Sequence, residues 1–152
     1  MTGLNHAATG ALVAAAINKP ALALPAALLS HFAADAIPHW NYLLPGGVRG
    51  RIKVMVIDLV LSLGLLAALA ATVQATPWLI IAGGLLGILP DTMWLRFFLT
   101  GRPSIHGHPE RVINRLRRFH GRIQWSESAR LGLIVEAVWL PLMIFLIYQI
   151  HH

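Results

Sequence analysis

The sequence has 152 residues, of which 57% are hydrophobic and 12% are charged, and its mean hydropathy is +0.66. A soluble domain carries about 25% charged residues, so this chain has too little polar surface to cover a water-soluble globule. The composition excludes an ordinary soluble domain and predicts a membrane protein.

The net charge of +6 does not indicate a nucleic-acid partner, because the basic residues adjoin apolar runs. Arg49, Arg51 and Lys53 form one group, and most of the other cations fall within 102–130. Lys and Arg flanking membrane helices mark the cytoplasmic side. We therefore predict a multi-pass protein of the cytoplasmic membrane, with segments 46–53 and 101–130 and the N-terminus in the cytoplasm.

The apolar runs predict an all-α bundle of about five transmembrane or membrane-embedded helices in one domain, since about 20 apolar residues span a bilayer. Asn18-Lys19-Pro20 separates the first two runs, which are shorter or interrupted, and this predicts a hairpin of helices. Gly83 and Gly87 would let the fourth helix pack closely on a neighbour. The predicted helices are 4–18, 21–40, 54–73, 77–98 and 131–150.

Residues 109–124 differ from the other segments. Arginines and apolar residues both recur there at helical spacing, which predicts an amphipathic helix lying along anionic lipid headgroups. A basic solvated loop is the alternative. The arginines are Arg111, Arg115, Arg118 and Arg122, and the apolar residues are Val112, Leu116, Phe119 and Ile123. The tryptophans Trp40, Trp78, Trp94 and Trp125 are predicted interfacial anchors.

The predicted topology places the acidic and histidine side chains at the cytoplasmic end of the bundle. This result is independent, because the topology was fixed from Arg and Lys alone. Ionisable groups in a membrane are costly and usually functional. The group consists of His6, His31, Asp35, His39, Asp58, Asp91 and Glu136, together with the loop histidines His106, His108 and His120.

The densest cluster is His31, Asp35 and His39, at positions i, i+4 and i+8 of one helix. Such spacing places the three on one stripe, and two ligands at i and i+4 can hold one metal ion. Pro38 would end or kink the helix and turn His39 back toward the site. The alternatives are a hydrogen-bonded polar stripe or a proton relay. Because cysteine is absent, a metal site must use nitrogen and oxygen ligands.

His31-Phe32-x-x-Asp35, followed by Pro38 and His39, resembles a segment of the zinc-dependent phospholipase C and P1 nuclease superfamily. Those proteins are all-helical phosphodiesterases that hold a cluster of zinc ions. The resemblance implies that His31 and Asp35 ligate zinc, that Asp35 bridges two ions, and that His39 ligates another.

Two further family features have counterparts in this chain. His6 is similar to a ligand histidine near the family's N-terminus, and His120 to the histidine of a later His-x-x-x-(Asp/Glu) pair. The chain departs from the pattern at Ala34, where the family has Gly, and at Gln124, where it has a carboxylate. A ligand pair expected between His6 and His31 is missing, so Asp58 or Asp91 would substitute, and two ions are favoured among one to three.

A membrane branch also resembles this chain. Its members are bacterial inner-membrane metal-dependent hydrolases, sometimes described as LexA-binding, with a histidine in the first apolar helix and Leu-Pro-Asp motifs. Leu89-Pro90-Asp91 is similar to that motif, and His106-Gly107-His108 to a late His-rich segment.

The sequence therefore predicts a metal-dependent hydrolase, with zinc or another divalent ion, acting on a phosphoester at the cytoplasmic membrane face. A phospholipid or lipid phosphate is the expected substrate. The metal ligands would be His6, His31, Asp35, His39, Asp91 and His120. Asp58 or Glu136 would orient water or act as base, and Arg118 with its neighbours would neutralise phosphate. The alternative is a non-catalytic metal- or proton-handling protein, either a small transporter or a scaffold.

Overall fold

The computed structural model describes residues 1–40, 47–100 and 112–151, and the fold is all-α, as predicted. The helices are α1 (Gly3–Ile17), α2 (Pro20–Asp35), α3 (Gly47–Thr72), α4 (Pro77–Ile88), α5 (Leu95–Thr100), α6 (Val112–Ile123) and α7 (Ala129–His151). A 3₁₀ segment, Leu89–Trp94, joins α4 to α5. Two short strands, β1 (His39–Trp40) and β2 (Ser126–Glu127), pair in parallel.

Helix α1 lies at the centre of the bundle and contacts α2, α3, α4 and α7. Its small side chains allow this: a Cβ added at Gly10 would collide with the carbonyl of Gly83, and one at Gly87 with the carbonyl of His6. The predicted close packing at Gly83 and Gly87 is confirmed, and the neighbour is α1.

Helices α1 and α2 form the predicted hairpin. Asn18 ends α1 in the left-handed conformation (φ 47°), and Pro20 begins α2, where its missing N–H is not needed. The helices have 15 and 16 residues, or about 22–24 Å, which is shorter than a bilayer core of about 30 Å.

Three described helical segments are long and apolar enough to cross a membrane: 47–72, 77–94 and 129–150. Most of their residues face outward, and the exposed large apolar side chains include Val60 and Leu63 on α3 and Val138 and Phe145 on α7. A bundle that is apolar outside is typical of a protein in lipid.

Several predicted boundaries were wrong, mainly at prolines. Helix α2 ends at Asp35 rather than at residue 40, because Pro38 disfavours helix in the residue before it. The predicted helix 77–98 divides at Ile88, because Pro90 cannot donate the backbone hydrogen bond that would continue α4. Helix α3 begins at Gly47, so much of the predicted loop 46–53 is helical.

Helix α6 matches the predicted amphipathic segment over 112–123, and residues 109–111 lie outside the described ranges. Its buried side chains, Asn114 and His120, are polar, whereas Val112 and Phe119 are exposed. The exposed side of α6 combines these apolar side chains with arginines, and a membrane surface suits both.

Candidate metal centre

Asp35, the last residue of α2, is the centre of a buried cluster of histidines. Its Oδ1 lies 3.1 Å from His6 Nε2 and 3.6 Å from His39 Nε2, and its Oδ2 lies 3.3 Å from His31 Nε2 and 2.5 Å from His120 Nε2. All five side chains are fully buried. Four separate elements, α1, α2, β1 and α6, therefore converge on one carboxylate.

Asp91 forms the edge of the cluster, at the start of the 3₁₀ segment. Its Oδ1 lies 3.7 Å from His31 Nε2 and 4.0 Å from His120 Nε2, and its Oδ2 lies 3.9 Å from His6 Nε2. The side chain is 29% exposed. Asp91 is thus the member of the cluster that connects it to the outside.

The two carboxylates face three of the imidazoles in the same way. One oxygen of Asp35 and one of Asp91 face His31 and His120, and the other oxygen of each carboxylate faces His6. His31, Asp35, Asp91 and His120 offer ligand atoms that all lie within 4.8 Å of one another. Two ligand atoms on one zinc ion lie about 3.3 Å apart, given bonds of about 2.0–2.1 Å, so the spacing within this group suits one cation.

Buried nitrogen atoms without partners also fit a cation. Within the described ranges, His6 Nδ1 and His39 Nε2 make no hydrogen bond. An unsatisfied buried polar group costs about 1–3 kcal/mol, and a bound cation would remove this cost. Burial lowers the pKa of His39 below its ordinary value, so at neutral pH its Nε2 carries a lone pair.

Backbone carbonyls orient two of the imidazoles. His31 Nδ1–H donates to the Gly87 carbonyl, and His39 Nδ1–H donates to the Ile37 carbonyl, each at 2.8 Å. Metal-ligating histidines commonly donate their second N–H in this way. His39 lies in β1 and not in α2. The prediction that all three residues share one helix is therefore wrong for His39, although its side chain does reach Asp35.

The strand pair closes the cluster. Trp125 N–H donates to the Asp35 carbonyl (2.9 Å), and His39 N–H donates to the Trp125 carbonyl (3.1 Å). These bonds tie the segment after α6 to the end of α2 and so place His120 over Asp35. Gly132 lets α7 approach β1, because a Cβ there would collide with the Trp40 backbone.

Two contacts in the cluster were missed from the sequence. The amino group of Met1 donates to Asp35 Oδ1 (2.8 Å), which gives this oxygen one positive partner. Trp94, predicted only as an interfacial anchor, donates its indole N–H to His120 Nδ1 (2.7 Å). Neither contact has a signal in residue spacing.

Asp58, a predicted catalytic base, binds the start of α1. It accepts hydrogen bonds from the backbone N–H groups of Gly3 (2.7 Å) and Leu4 (2.9 Å). These are two of the N–H groups that lack a partner within the helix. The carboxylate acts as a cap supplied by another helix, and its role as a base stays a prediction.

Glu136, the other predicted base, also binds backbone groups. It accepts from the N–H groups of Thr2 (2.9 Å) and Trp40 (3.2 Å) and from the Asn5 side-chain amide (3.2 Å). It is buried, and it acts electrostatically on His39. Glu136 therefore lies beside the cluster, in contact with the start of α1 and with β1.

Arg118 lies on the exposed side of α6, and its predicted contact with phosphate stays a prediction. The arginine that holds this helix in place is Arg117, whose guanidinium donates twice to the Met93 carbonyl (3.0 and 2.7 Å) and once to Asn114 (3.1 Å). His106 and His108 lie outside the described residues.

Comparisons of this chain with protein-family models, with curated proteins and with solved structures found no match.

Proposed function

We propose that this protein is a metal-dependent phosphoester hydrolase of the cytoplasmic membrane, with zinc as the favoured ion and two ions as the favoured number. The observation that carries the proposal is Asp35, fully buried with two imidazoles within 4 Å of each oxygen. Imidazole and carboxylate without thiolate suit zinc or a related divalent ion.

The ions would be held by the six residues of the predicted ligand set: His6, His31, Asp35, His39, Asp91 and His120. When bound, divalent cations would lower the pKa of a water molecule and screen the negative charge of phosphate oxygens. Substrate would enter beside the partly exposed Asp91.

Glu136 is the better placed of the two candidate bases, because it lies beside His39 and Trp40. Its oxygens already accept hydrogen bonds from three N–H donors, which fix its direction. A fixed, charged carboxylate can orient a water molecule without leaving its own position.

A lipid phosphate is the substrate class that the surface of the protein favours. Arg115, Arg118 and Arg122 are exposed on α6, together with Leu116 and Phe119. This combination suits a helix lying among anionic headgroups, with its apolar side chains below them. Arg49, Arg51 and Lys53 begin α3, and basic residues at helix ends support a cytoplasmic location for the site and the N-terminus.

The alternative, a protein that moves a metal ion or a proton across the membrane, would need polar groups through the bundle. In the described part of the chain, the core of the bundle instead contains a cluster of buried apolar side chains: Ala7, Ala11, Ala15, Leu66, Leu69, Ile80 and Ile147. This apolar layer opposes a path across the membrane and favours a site that opens at one end.

The test is metal content and turnover of the full chain purified in detergent. We expect zinc to bind to wild type and not to the Asp35→Asn variant, and zinc-loaded wild type to cleave a phosphodiester reporter or one member of a panel of phospholipids and lipid phosphates. Asp58→Asn is the matched control for metal content, since this carboxylate lies outside the cluster. Absence of bound metal from wild type would refute the proposal, and bound metal without turnover would favour a non-catalytic role.

A further inference from the structure

The hydrogen bond from Trp94 determines which nitrogen of His120 carries a proton. An indole N–H can only donate, and it lies 2.7 Å from His120 Nδ1. His120 Nδ1 must therefore be the acceptor. A neutral imidazole has one protonated nitrogen, so the proton of His120 is on Nε2, the atom that faces Asp35.

His31 and His39 have the opposite arrangement. Their Nδ1 atoms each lie 2.8 Å from a carbonyl oxygen, which can only accept, so their protons are on Nδ1. Their Nε2 atoms present lone pairs to Asp35. Two imidazoles of the cluster are thus prepared to ligate a cation through Nε2, whereas His120 presents an N–H group at the same atom.

The other neighbours of His120 agree with this arrangement. Its Nε2 lies 2.5 Å from Asp35 Oδ2 and 3.0 Å from His31 Nε2, and both are acceptors. Rotating the ring by half a turn would place carbon atoms against Asp35 and Trp94 and lose both hydrogen bonds. The orientation and the tautomer are therefore fixed together.

We propose that His120 is a positioning residue that donates a hydrogen bond to Asp35 and does not ligate metal, and that Trp94 holds it in this tautomer. The inference rests on the proposed metal centre and refines its ligand set to His6, His31, His39, Asp35 and Asp91. The His120 N–H would hold Asp35 Oδ2 in the direction of the ion shared with His31. This is the task of a hydrogen-bonding partner one step removed from the metal.

Rescue by an amide distinguishes a donor from a ligand. A glutamine side chain can donate N–H to Asp35 but is a poor substitute for an imidazole ligand. We expect His120→Ala to weaken zinc binding about tenfold, as for other partners of ligands, and His120→Gln to recover most of that loss because its amide N–H replaces the imidazole N–H. His31→Gln, the matched variant of a ligand, should show no such rescue and lose more than about 100-fold.

A spectroscopic measurement gives the same answer without activity. In full-length protein with ¹⁵N-labelled histidine and bound ¹¹³Cd²⁺, we expect cadmium–nitrogen coupling at His31 and His39 and none at His120, whose hydrogen stays on Nε2. Trp94→Phe should allow the His120 hydrogen to move to Nδ1.

Coupling at His120, or equal metal loss in His120→Gln and His31→Gln, would overturn the inference. Failure of wild type to bind zinc or cadmium would refute the proposed function. The spectrum of the metal-free protein would then still test the tautomer, and a hydrogen on Nδ1 of His120 would refute it.

Discussion

Four acidic residues lie within the apolar part of this chain, and the structure separates them into two pairs. Asp35 and Asp91 face imidazole nitrogens. Asp58 and Glu136 face backbone N–H groups at the start of α1 and at β1. All four have partners close by, but the partners differ in kind.

The difference shows what a buried carboxylate reveals about function. Backbone N–H groups are permanent donors, so Asp58 and Glu136 are satisfied by the chain itself. An imidazole can present either a lone pair or an N–H, and His31 and His39 use their N–H on carbonyls. Their lone pairs then face the oxygens of Asp35, an arrangement that a cation bound between them would stabilise.

The largest effect is expected from a substitution in the first pair, Asp35 and Asp91. Asp35→Asn should lower zinc affinity by at least about 100-fold, or about 2.8 kcal/mol, because each oxygen of Asp35 serves one set of imidazoles. Elemental analysis of the protein after dialysis against a range of zinc concentrations measures this. Asp58→Asn should retain wild-type affinity, and equal losses in both variants would remove the distinction between the pairs.

The close packing of α1 on α4 fixes the position of the Gly87 backbone. The Gly87 carbonyl in turn orients His31, which contacts Asp35 of the first pair. Gly87→Ala should destabilise the protein by about 1–3 kcal/mol, the usual cost of overpacking, and lower its metal content. Gly64→Ala is the control, because a Cβ there meets nothing within 4 Å, and it should be neutral or stabilising by about 0.5–1 kcal/mol. Thermal unfolding in detergent would compare them, and equal melting temperatures would contradict the packing argument.

The second pair should affect stability rather than metal binding. Asp58→Ala removes the acceptor for two N–H groups of α1 and should cost about 1–2 kcal/mol, as for loss of other helix caps. The measurement is unfolding at fixed zinc concentration, with metal content determined on the same sample. Loss of metal before loss of fold would show that Asp58 belongs to the site.

The smallest effect is expected from the surface. Arg118→Gln should raise KM for an anionic lipid phosphate about fivefold, which corresponds to about 1 kcal/mol per cation near an anionic surface. Metal content and melting temperature should not change. Steady-state kinetics in mixed micelles would measure it. The control is Lys19→Gln, between α1 and α2 at the end of α1 opposite His6, and equal effects of both variants would exclude a specific contact.

Much of the fold could be predicted, because apolar runs of sufficient length leave few choices other than helices in lipid. The hairpin at Asn18 and Pro20 and the close packing at Gly83 and Gly87 also followed from local chemistry. The predicted end of α2 was five residues too late, because residues 36–40, including Pro38, are mostly apolar. Hydropathy does not show where the backbone hydrogen bonds of a helix end.

The cluster was predictable as a set of residues but not as a geometry. Polar side chains in an apolar chain are few, and grouping them at one membrane face selected His6, His31, Asp35, His39, Asp91 and His120, which the structure does bring together. The same reasoning also selected Asp58 and Glu136, because a sequence does not show whether a carboxylate will meet an imidazole or the start of another helix.

The sequence by itself determined the apolar character of this protein and its helical class, and it predicted that the polar groups gather at one end, since these depend on composition and short-range periodicity. Only the tertiary structure decided the partners of each polar group. The β1–β2 pair places His120 over Asp35, and the 3₁₀ segment places Trp94 against His120. The physical reason is that proton positions and ligand directions depend on contacts between residues far apart in the chain, and these form only when the bundle has packed.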